Sequence, residues 1–350
     1  MIFKKDVGLL VLILLVGTVV AIINPRFLLA ANVSNTANQV GLFGIMAIGE
    51  AFVILTGGIE LSVGAIAALL GAVFIDLIVN YEISWPVAVV IVLGAGLLMG
   101  LVHGLLVAKL GMQPFVVTLC ALLIYRGTAR YYTNDATVGF GFGASFPDLE
   151  WLTAGRSELF GPVARMFGYA EPTIAVPHTL IALVIVTVIA GVVLHRSVFG
   201  RYLFAIGKNE EAARHSGIGT ARITIAAYVI CCGLAAFDAI LLAMYTRSIS
   251  PAVHGSFYEL YAIAAAVLGG FSLRGGEGSI IGVVLGTILL QILQNLVNLL
   301  GIPSSLNFAV MGSVILLGVL ADQQISRYRQ RSLAHARRIR SAPEGASEAT

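Results

Sequence analysis

The chain has 350 residues, 58% of them hydrophobic and 11% charged, with a mean hydropathy of +0.95 and a formal net charge of +3. Soluble domains carry about 25% charged residues, so most of this surface is excluded from water, and lipid is the solvent that accepts it. The small charge, with basic residues gathered in connections rather than along one face, excludes a nucleic-acid partner.

Lys4 and Lys5 lead into the apolar run from Val7 to Ile23. A cleaved signal has an apolar core of about 7–15 residues, so this longer run is expected to remain as the first membrane helix. A spanning helix needs about 20 mainly apolar residues. Ten candidates follow in order: 7–24, 39–56, 61–80, 86–108, 114–133, 178–195, 223–246, 259–271, 279–300 and 305–322. The fifth carries Arg126 and Arg130, and the eighth is short for a full span. Gly57-Gly58 separates the second from the third, and Gly269-Gly270 interrupts the eighth. Adjacent glycines free backbone groups to bond elsewhere, which a membrane tolerates only where protein or a wet cavity covers them. The segment GGFSL (269–273) echoes GGIEL (57–61), a weak sign of internal duplication.

Cys120, Cys231 and Cys232 lie inside apolar runs, and neighbours on a helix point apart. They read as buried small apolar residues, not as a disulfide framework. With a cytoplasmic N-terminus, fifteen of the 21 Lys and Arg fall on the cytoplasmic side. That bias favours an even number of helices with both termini inside. Between Arg26 and Lys109 there is no Lys or Arg, so length alone sets the topology there. Residues 134–177 form a long outer loop, either a small cap that meets a partner or a passive excursion. Residues 326–350 are basic and then Ser/Ala/Glu-rich, and are expected to form a disordered tail.

The inner loop 195–222 reads HRSVFGRYLFAIGKNEEAARHSGIGTAR. Asn209 can cap a short helix with Glu210 and Glu211 in its first turn, where negative charge is favoured. Ala212, Ala213 and Arg214 continue it and Gly217 can end it. Such a helix, joined to membrane helices on both sides, can carry a push from a soluble protein into the bundle; an ordinary helix lying against headgroups is the alternative. The chain has no Walker A loop: from Gly200 to Gly207-Lys208-Asn209 the glycine spacing is too long, and Asn209 stands where a hydroxyl residue must meet magnesium. No HExxH or GxSxG motif is present, and no catalytic or metal-ligating residue is assigned.

Glu211-Ala212-Ala213 followed by Gly217 resembles the coupling loop of ABC importer permeases, and GRYLFAIGKNEEAARHSGI is very similar to that loop in the ribose/xylose-type sugar permeases. TGGIELSVG (56–64), PFVVTL (114–119), YRG (125–127), YELYAIAAAVLGG (258–270), SLRGGEGS (272–279) and QNLVNLLG (294–301) resemble further motifs of that family, in order, over about residues 25–322. Glu60 stands where the family usually has Asp, His103 where Asn is expected, Leu296 where Gly is expected, and Asp238 where a small apolar residue is expected. The 134–177 loop is also longer than usual.

Ionisable groups at the bilayer centre cost about 2.5–3.5 kcal/mol on insertion scales, so Glu50, Glu60, His103 and Asp238 are expected to face protein or a wet path. Glu60 follows the Gly57-Gly58 break and reads either as a gate or as a cap and partner for a hydroxyl such as Ser62. Asn295 and Asn298 share a helix face with Gln291 and Gln294 nearby. These amides suit either sugar hydroxyls or interhelical hydrogen bonds worth about 0.6–2 kcal/mol. The candidate path or gate residues are therefore Gly57, Gly58, Glu60, Ser62, Gly269, Gly270, Asn295 and Asn298. The candidate ATPase-coupling residues are Gly207, Asn209, Glu210, Glu211, Ala212, Ala213, Arg214 and Gly217.

The expected fold is an all-α polytopic membrane protein of about ten transmembrane helices with both termini cytoplasmic, like the permeases of type II ABC importers. Residues 1–325 form the transmembrane permease domain. The resemblance implies a bacterial inner-membrane protein that carries no cofactor of its own and no enzymatic activity. It implies a cytoplasmic ABC ATPase that holds ATP and Mg, a periplasmic sugar-binding protein, and a second permease copy or paralogue, all set in membrane lipid. The expected cargo is a monosaccharide or small polyol; a nucleoside or amino-acid permease, or a proton-coupled secondary transporter, is the alternative.

Overall fold

A computed structural model describes residues 2–141, 145–157 and 175–303, together with residues 306, 309, 312, 313 and 316. Its helices, in chain order, are α1 (Ile2–Ile23), α2 (Ala30–Leu55), α3 (Val63–Val79), α4 (Trp85–Ala108), α5 (Pro114–Tyr132) and α6 (Pro147–Ala154). After the 134–177 loop come α7 (His178–Arg196), α8 (Val198–Lys208), α9 (Glu210–His215), α10 (Thr220–Thr246), α11 (Tyr258–Leu268) and α12 (Ile280–Leu299). Six of these, α1, α2, α4, α7, α10 and α12, are long and apolar enough to cross a membrane, while α3 and α11 are shorter apolar helices. Residues up to Gly301 form one compact unit. In the second unit, from Ile302 onward, the Ser313 hydroxyl donates to the Ala309 carbonyl at 2.8 Å, one turn back. Most of the tenth expected span and all of the tail 326–350 lie outside the described residues.

The nine expected runs that precede residue 301 are all helical. Their glycines decide how closely they pack. Gly96, Gly100 and Gly104 recur every fourth residue on α4 and face α10 backbone: a Cβ on Gly104 would lie 2.6 Å from Ile225 Cα, and one on Gly100 would be 2.7 Å from Val229 Cα. Small residues at this spacing let membrane helices approach until their backbones touch. The α4–α10 pair runs antiparallel, since Gly96 meets Cys232 and Ala236 while Gly104 meets Ile225. Helix α2 is the centre of the bundle, with 94% of its spanning window buried against 11% for α1. The apolar residues of α1 are mostly exposed, the expected surface of a helix facing lipid.

Four differences from the sequence expectation have local causes. Helix α2 begins at Ala30, not near residue 39, because Asn32, Asn35 and Gln39 face a cavity and not lipid. The eighth run ends at Leu268, and Gly270, at φ +92°, terminates the helix where an interruption was expected. Helix α5 accommodates Arg126 by donating its guanidinium to the Pro251 and His254 carbonyls at 2.7 and 2.6 Å. Cys120 is exposed, whereas Cys231 and Cys232 are buried as expected.

The described residues of the 134–177 loop form a small cap of α6 and two short antiparallel ladders, one of them completed by residues 248–249. β1 (Val138–Gly139) pairs with β4 (Ser248–Ile249), and β2 (Arg156–Ser157) pairs with β3 (Val176–Pro177). The sequence expectations for 142–144 and 158–174 lie outside the described residues.

Candidate functional site

Helix α8 packs on the bundle through buried Leu203 and Ile206, and the short helix α9 follows it. The Ser197 hydroxyl accepts the Gly200 N–H at 3.1 Å and starts α8. Asn209 adopts extended backbone between the two helices, and its side chain accepts the Ala212 N–H at 2.9 Å, capping α9. Glu210 and Glu211 fill the first turn of α9, and Arg214 and His215 the last, matching the partial charges of the helix ends. Gly217, at φ +84°, reverses the chain so that the Ile218 N–H reaches the Ala213 carbonyl at 3.2 Å. Glu210, Glu211, Ala212 and Arg214 are exposed, and Ala213 alone is buried. The sequence-predicted coupling residues thus form a short, capped helix that presents nearly its whole surface outward.

The link that precedes that helix meets the bundle through close backbone contacts. Gly207, just before the Asn209 cap, lies where a Cβ would collide with the Leu55 carbonyl and the Gly276 backbone. The Gly276 N–H in turn donates to the Leu55 carbonyl at 2.9 Å. A Cβ on Gly275 would stand 2.8 Å from the Gly57 nitrogen and 3.0 Å from Gly207 Cα. Three chain segments meet here at glycines: the α8–α9 link, the C-terminal end of α2 with its Gly57-Gly58 break, and the glycine loop between α11 and α12. Lys208 and Glu277 form an ion pair across the same junction. Gly269 presses on the Gly282 backbone of α12 at the adjoining helix end. Gly57, Gly207, Gly275 and Gly276 are therefore brought together, a convergence the spacing in sequence does not reveal.

Glu60 is fully buried beyond the Gly57-Gly58 turn. Its Oε1 accepts the Ser62 N–H at 2.8 Å and the Ser62 hydroxyl at 2.6 Å, while Oε2 stands 2.7 Å from His103 Nδ1. His103 Nε2 pairs with the Tyr125 hydroxyl at 2.9 Å. The Glu60 N–H donates to Glu50 Oε1 at 3.0 Å. One hydrogen-bonded chain thus ties α2, the α2–α3 turn, α4 and α5. Two of the four residues that depart from the resembled pattern, Glu60 and His103, are partners in it. The sequence offers no metal motif, yet Glu60 Oε2, His103 Nδ1 and Cys232 Sγ lie within 4.8 Å of one another. The 2.7 Å Glu60–His103 separation is that of a hydrogen bond. It is shorter than the spacing of about 3.3 Å that ligands 2.0–2.1 Å from a tetrahedral zinc would adopt.

Asn295 and Asn298 sit elsewhere, on a cavity of about 390 Å³ between α2 and α12. Helix α12 contributes Gln291, Gln294, Asn295 and Asn298 to it. Helix α2 contributes Asn32, Asn35, Thr36 and Gln39, spaced one turn apart on a single face. Asn32 and Asn295 exchange reciprocal amide hydrogen bonds at 3.0 and 2.8 Å. Phe43 and Tyr258, with ring centroids 4.7 Å apart, close one side. Thr36 Oγ1 and Gln294 Oε1 are buried without a protein partner, so they are acceptors for water or a solute. No Asp, Glu, Lys, Arg or His is among the described lining residues. Glu60 and Ser62 are not among them either. The α12 amides are legible in the sequence, but their α2 counterparts are not: Asn32, Asn35 and Thr36 fall before the expected second span and Gln39 at its first residue.

The chain matches a family described as branched-chain amino acid transport system / permease component, over residues 32–319. It is 40% identical to the ribose import permease protein of Escherichia coli (strain K12), covering 92% of this chain and 93% of that one. It is 38% identical to the ribose import permease protein of Bacillus subtilis (strain 168), covering 91% and 92%. Identity to the xylose transport system permease protein of Escherichia coli (strain K12) is 32%, covering 86% and 87%. No solved structure matches the chain.

Proposed function

The chain belongs to the branched-chain amino acid transport system / permease component family, and from that premise we propose that it is the translocation subunit of an ATP-driven importer of a monosaccharide or related small polyol. The amide-lined cavity carries the reading. Its donors and acceptors are neutral and paired in one face of α2 and one of α12, which suits hydroxyl groups. An amino acid would bring a carboxylate and an ammonium into a space whose described lining offers neither charge a partner, and an unpaired buried charge is costly. The ring faces of Phe43 and Tyr258 suit the C–H surface of a sugar. The ribose and xylose import functions named for the relatives support the same cargo class.

In this reading the protein lies in a bacterial inner membrane with ten spans and both termini in the cytoplasm. The α9 face is cytoplasmic and the cap is periplasmic. A separate ABC ATPase, which holds ATP and Mg, docks on Glu210, Glu211, Ala212 and Arg214. A periplasmic sugar-binding protein delivers cargo to the cap, and a second permease copy or paralogue completes the pore. Closure of the ATPase pair pushes α9, and the glycine junction passes that displacement to the ends of α2 and α12, the two helices that carry the cavity amides. Weak, exchangeable amide contacts let the sugar move on.

Two expected results test this. Asn295→Leu together with Asn298→Leu lowers uptake of the imported sugar by about tenfold or more, as losing two buried amide contacts of about 1–1.5 kcal/mol each would, while the ATPase still co-purifies. Wild-type uptake in that double variant removes the cavity from the path. Glu211→Lys, or Gly217→Leu at its positive φ, leaves insertion intact but abolishes co-purification of the ATPase. Undiminished co-purification with both would refute the docking assignment. A proton-coupled carrier would work through Glu50, Glu60 or Asp238: Glu50 and Glu60 are engaged in the buried chain of hydrogen bonds, while the buried Asp238 carboxylate has no hydrogen-bond partner among the described residues; uptake that survives without an ATPase would favour that carrier.

A further inference from the structure

A second pocket, of about 740 Å³, opens beneath the cap on the face opposite α9. We infer that it is a separate carbohydrate site, an outer station that holds the sugar before it reaches the amide cavity; the inference rests on the importer reading. The pocket lies between α6, the ends of α2 and α10, and the β2–β3 ladder. The cap above it is pinned. His178 bonds the Trp151 carbonyl and stands 2.7 Å from the Ser157 hydroxyl. The indole packs edge-to-face with the His178 ring at 5.0 Å.

Three features make it a built site for hydroxyl groups. Asn38 lines it and is only 4% exposed. Its Oδ1 accepts the Thr179 hydroxyl at 2.5 Å, but its Nδ2 has no partner. A buried amide donor left over in this way calls for an acceptor. Glu150 and Arg247 line the pocket as a 2.6 Å ion pair. The Phe146 N–H, and then the Arg247 guanidinium, hold the Glu150 carboxyl below its usual range, so it stays an ionised acceptor. A carboxylate beside a guanidinium offers acceptor and donor at the spacing of neighbouring hydroxyls. Trp151, 63% exposed, and Tyr245 supply ring surface for the C–H face of a sugar. The two pockets are also linked: Arg156, which lines the outer one, donates to Asn35 of the amide cavity at 3.2 Å.

The chain has two tryptophans, Trp85 and Trp151, so Trp85→Phe leaves Trp151 as the sole indole reporter. The test titrates this full-length variant, purified in lipid nanodiscs, with ribose, xylose, glucose and myo-inositol and follows indole emission. The expected result is a saturable change with at least one of them. Asn38→Leu, and independently Tyr245→Ala, should weaken it by about tenfold, the loss of a contact worth about 1.4 kcal/mol. Asn295→Leu should leave it unchanged. No saturable response to any of the four from protein that still imports its sugar in cells overturns the outer site while leaving the importer reading intact. A response equally strong in Asn38→Leu and Tyr245→Ala also overturns it. A saturable Trp151 response in a chain that imports no sugar with its ATPase would keep the site and sink the importer reading instead.

Discussion

Alanine in place of Gly207 is expected to lower sugar import by about tenfold or more, the scale set by overpacking strain of about 1–3 kcal/mol, in permease that still inserts and still retains its ATPase. The added methyl has nowhere to go. It would collide with the Leu55 carbonyl and the Gly276 backbone, and these are already bonded to each other through the 2.9 Å Gly276 N–H. Rigid backbone, unlike the tip of a flexible side chain, cannot swing aside, so the α8–α9 link must back away from α2. The exposed surface of α9 is untouched by that retreat, since Gly207 lies before the Asn209 cap. Docking should therefore survive while the displacement no longer reaches the bundle. Gly191→Ala on α7 is the control, because a Cβ there meets nothing within 4 Å. The Lys208–Glu277 ion pair across the same junction should matter far less. Its side chains are 59% and 62% exposed, and exposed pairs contribute about 0–1 kcal/mol. Wild-type import by Gly207→Ala, or import lost together with ATPase retention, would remove the junction as the point where force enters the helices.

What the sequence discloses follows from how far each signal reaches. Apolar runs are local, and so is the Asn209–Gly217 capping pattern; both stand in the structure where the residues place them. The start of α2 was hidden because its first two turns carry Asn32, Asn35 and Thr36, which read as a connection until a facing helix supplies Gln291 to Asn298. A polar helix face is legible only once its partner is known. The glycine junction was hidden for a related reason. Gly57, Gly207 and Gly275 are each ordinary helix-end glycines in sequence, and only the fold shows that they share one point of contact. Glu60 and His103, separated by 43 positions, were each singled out as odd but not as a pair. The amide code of a cavity and the pairing of buried ionisable groups are properties of tertiary contact, and a single chain without its contacts carries them only as isolated anomalies.

The second large effect is expected at that pair. Leucine in place of Glu60 strands three donors at once: the Ser62 N–H, the Ser62 hydroxyl and His103 Nδ1 lose their acceptor in a site with no solvent access. Each buried donor left unsatisfied costs about 1–3 kcal/mol, which together correspond to a fall on the order of 10 °C in Tm for the purified permease. His103→Leu should cost a similar amount, because it strands Glu60 Oε2 and frees the Tyr125 hydroxyl. The double variant Glu60→Gln with His103→Asn should recover much of the loss in either leucine variant, since two amides can again donate and accept across the gap. That recovery separates a pair whose task is to tie the α2–α3 turn, α4 and α5 together from one whose task is to carry a charge. A proton-carrying pair would regain Tm in the amide double variant without regaining transport. A structural tie would regain both together. Leucine variants that unfold within about 2 °C of the parent, less than the shift for a single kcal/mol, would show that the buried cluster holds nothing in place.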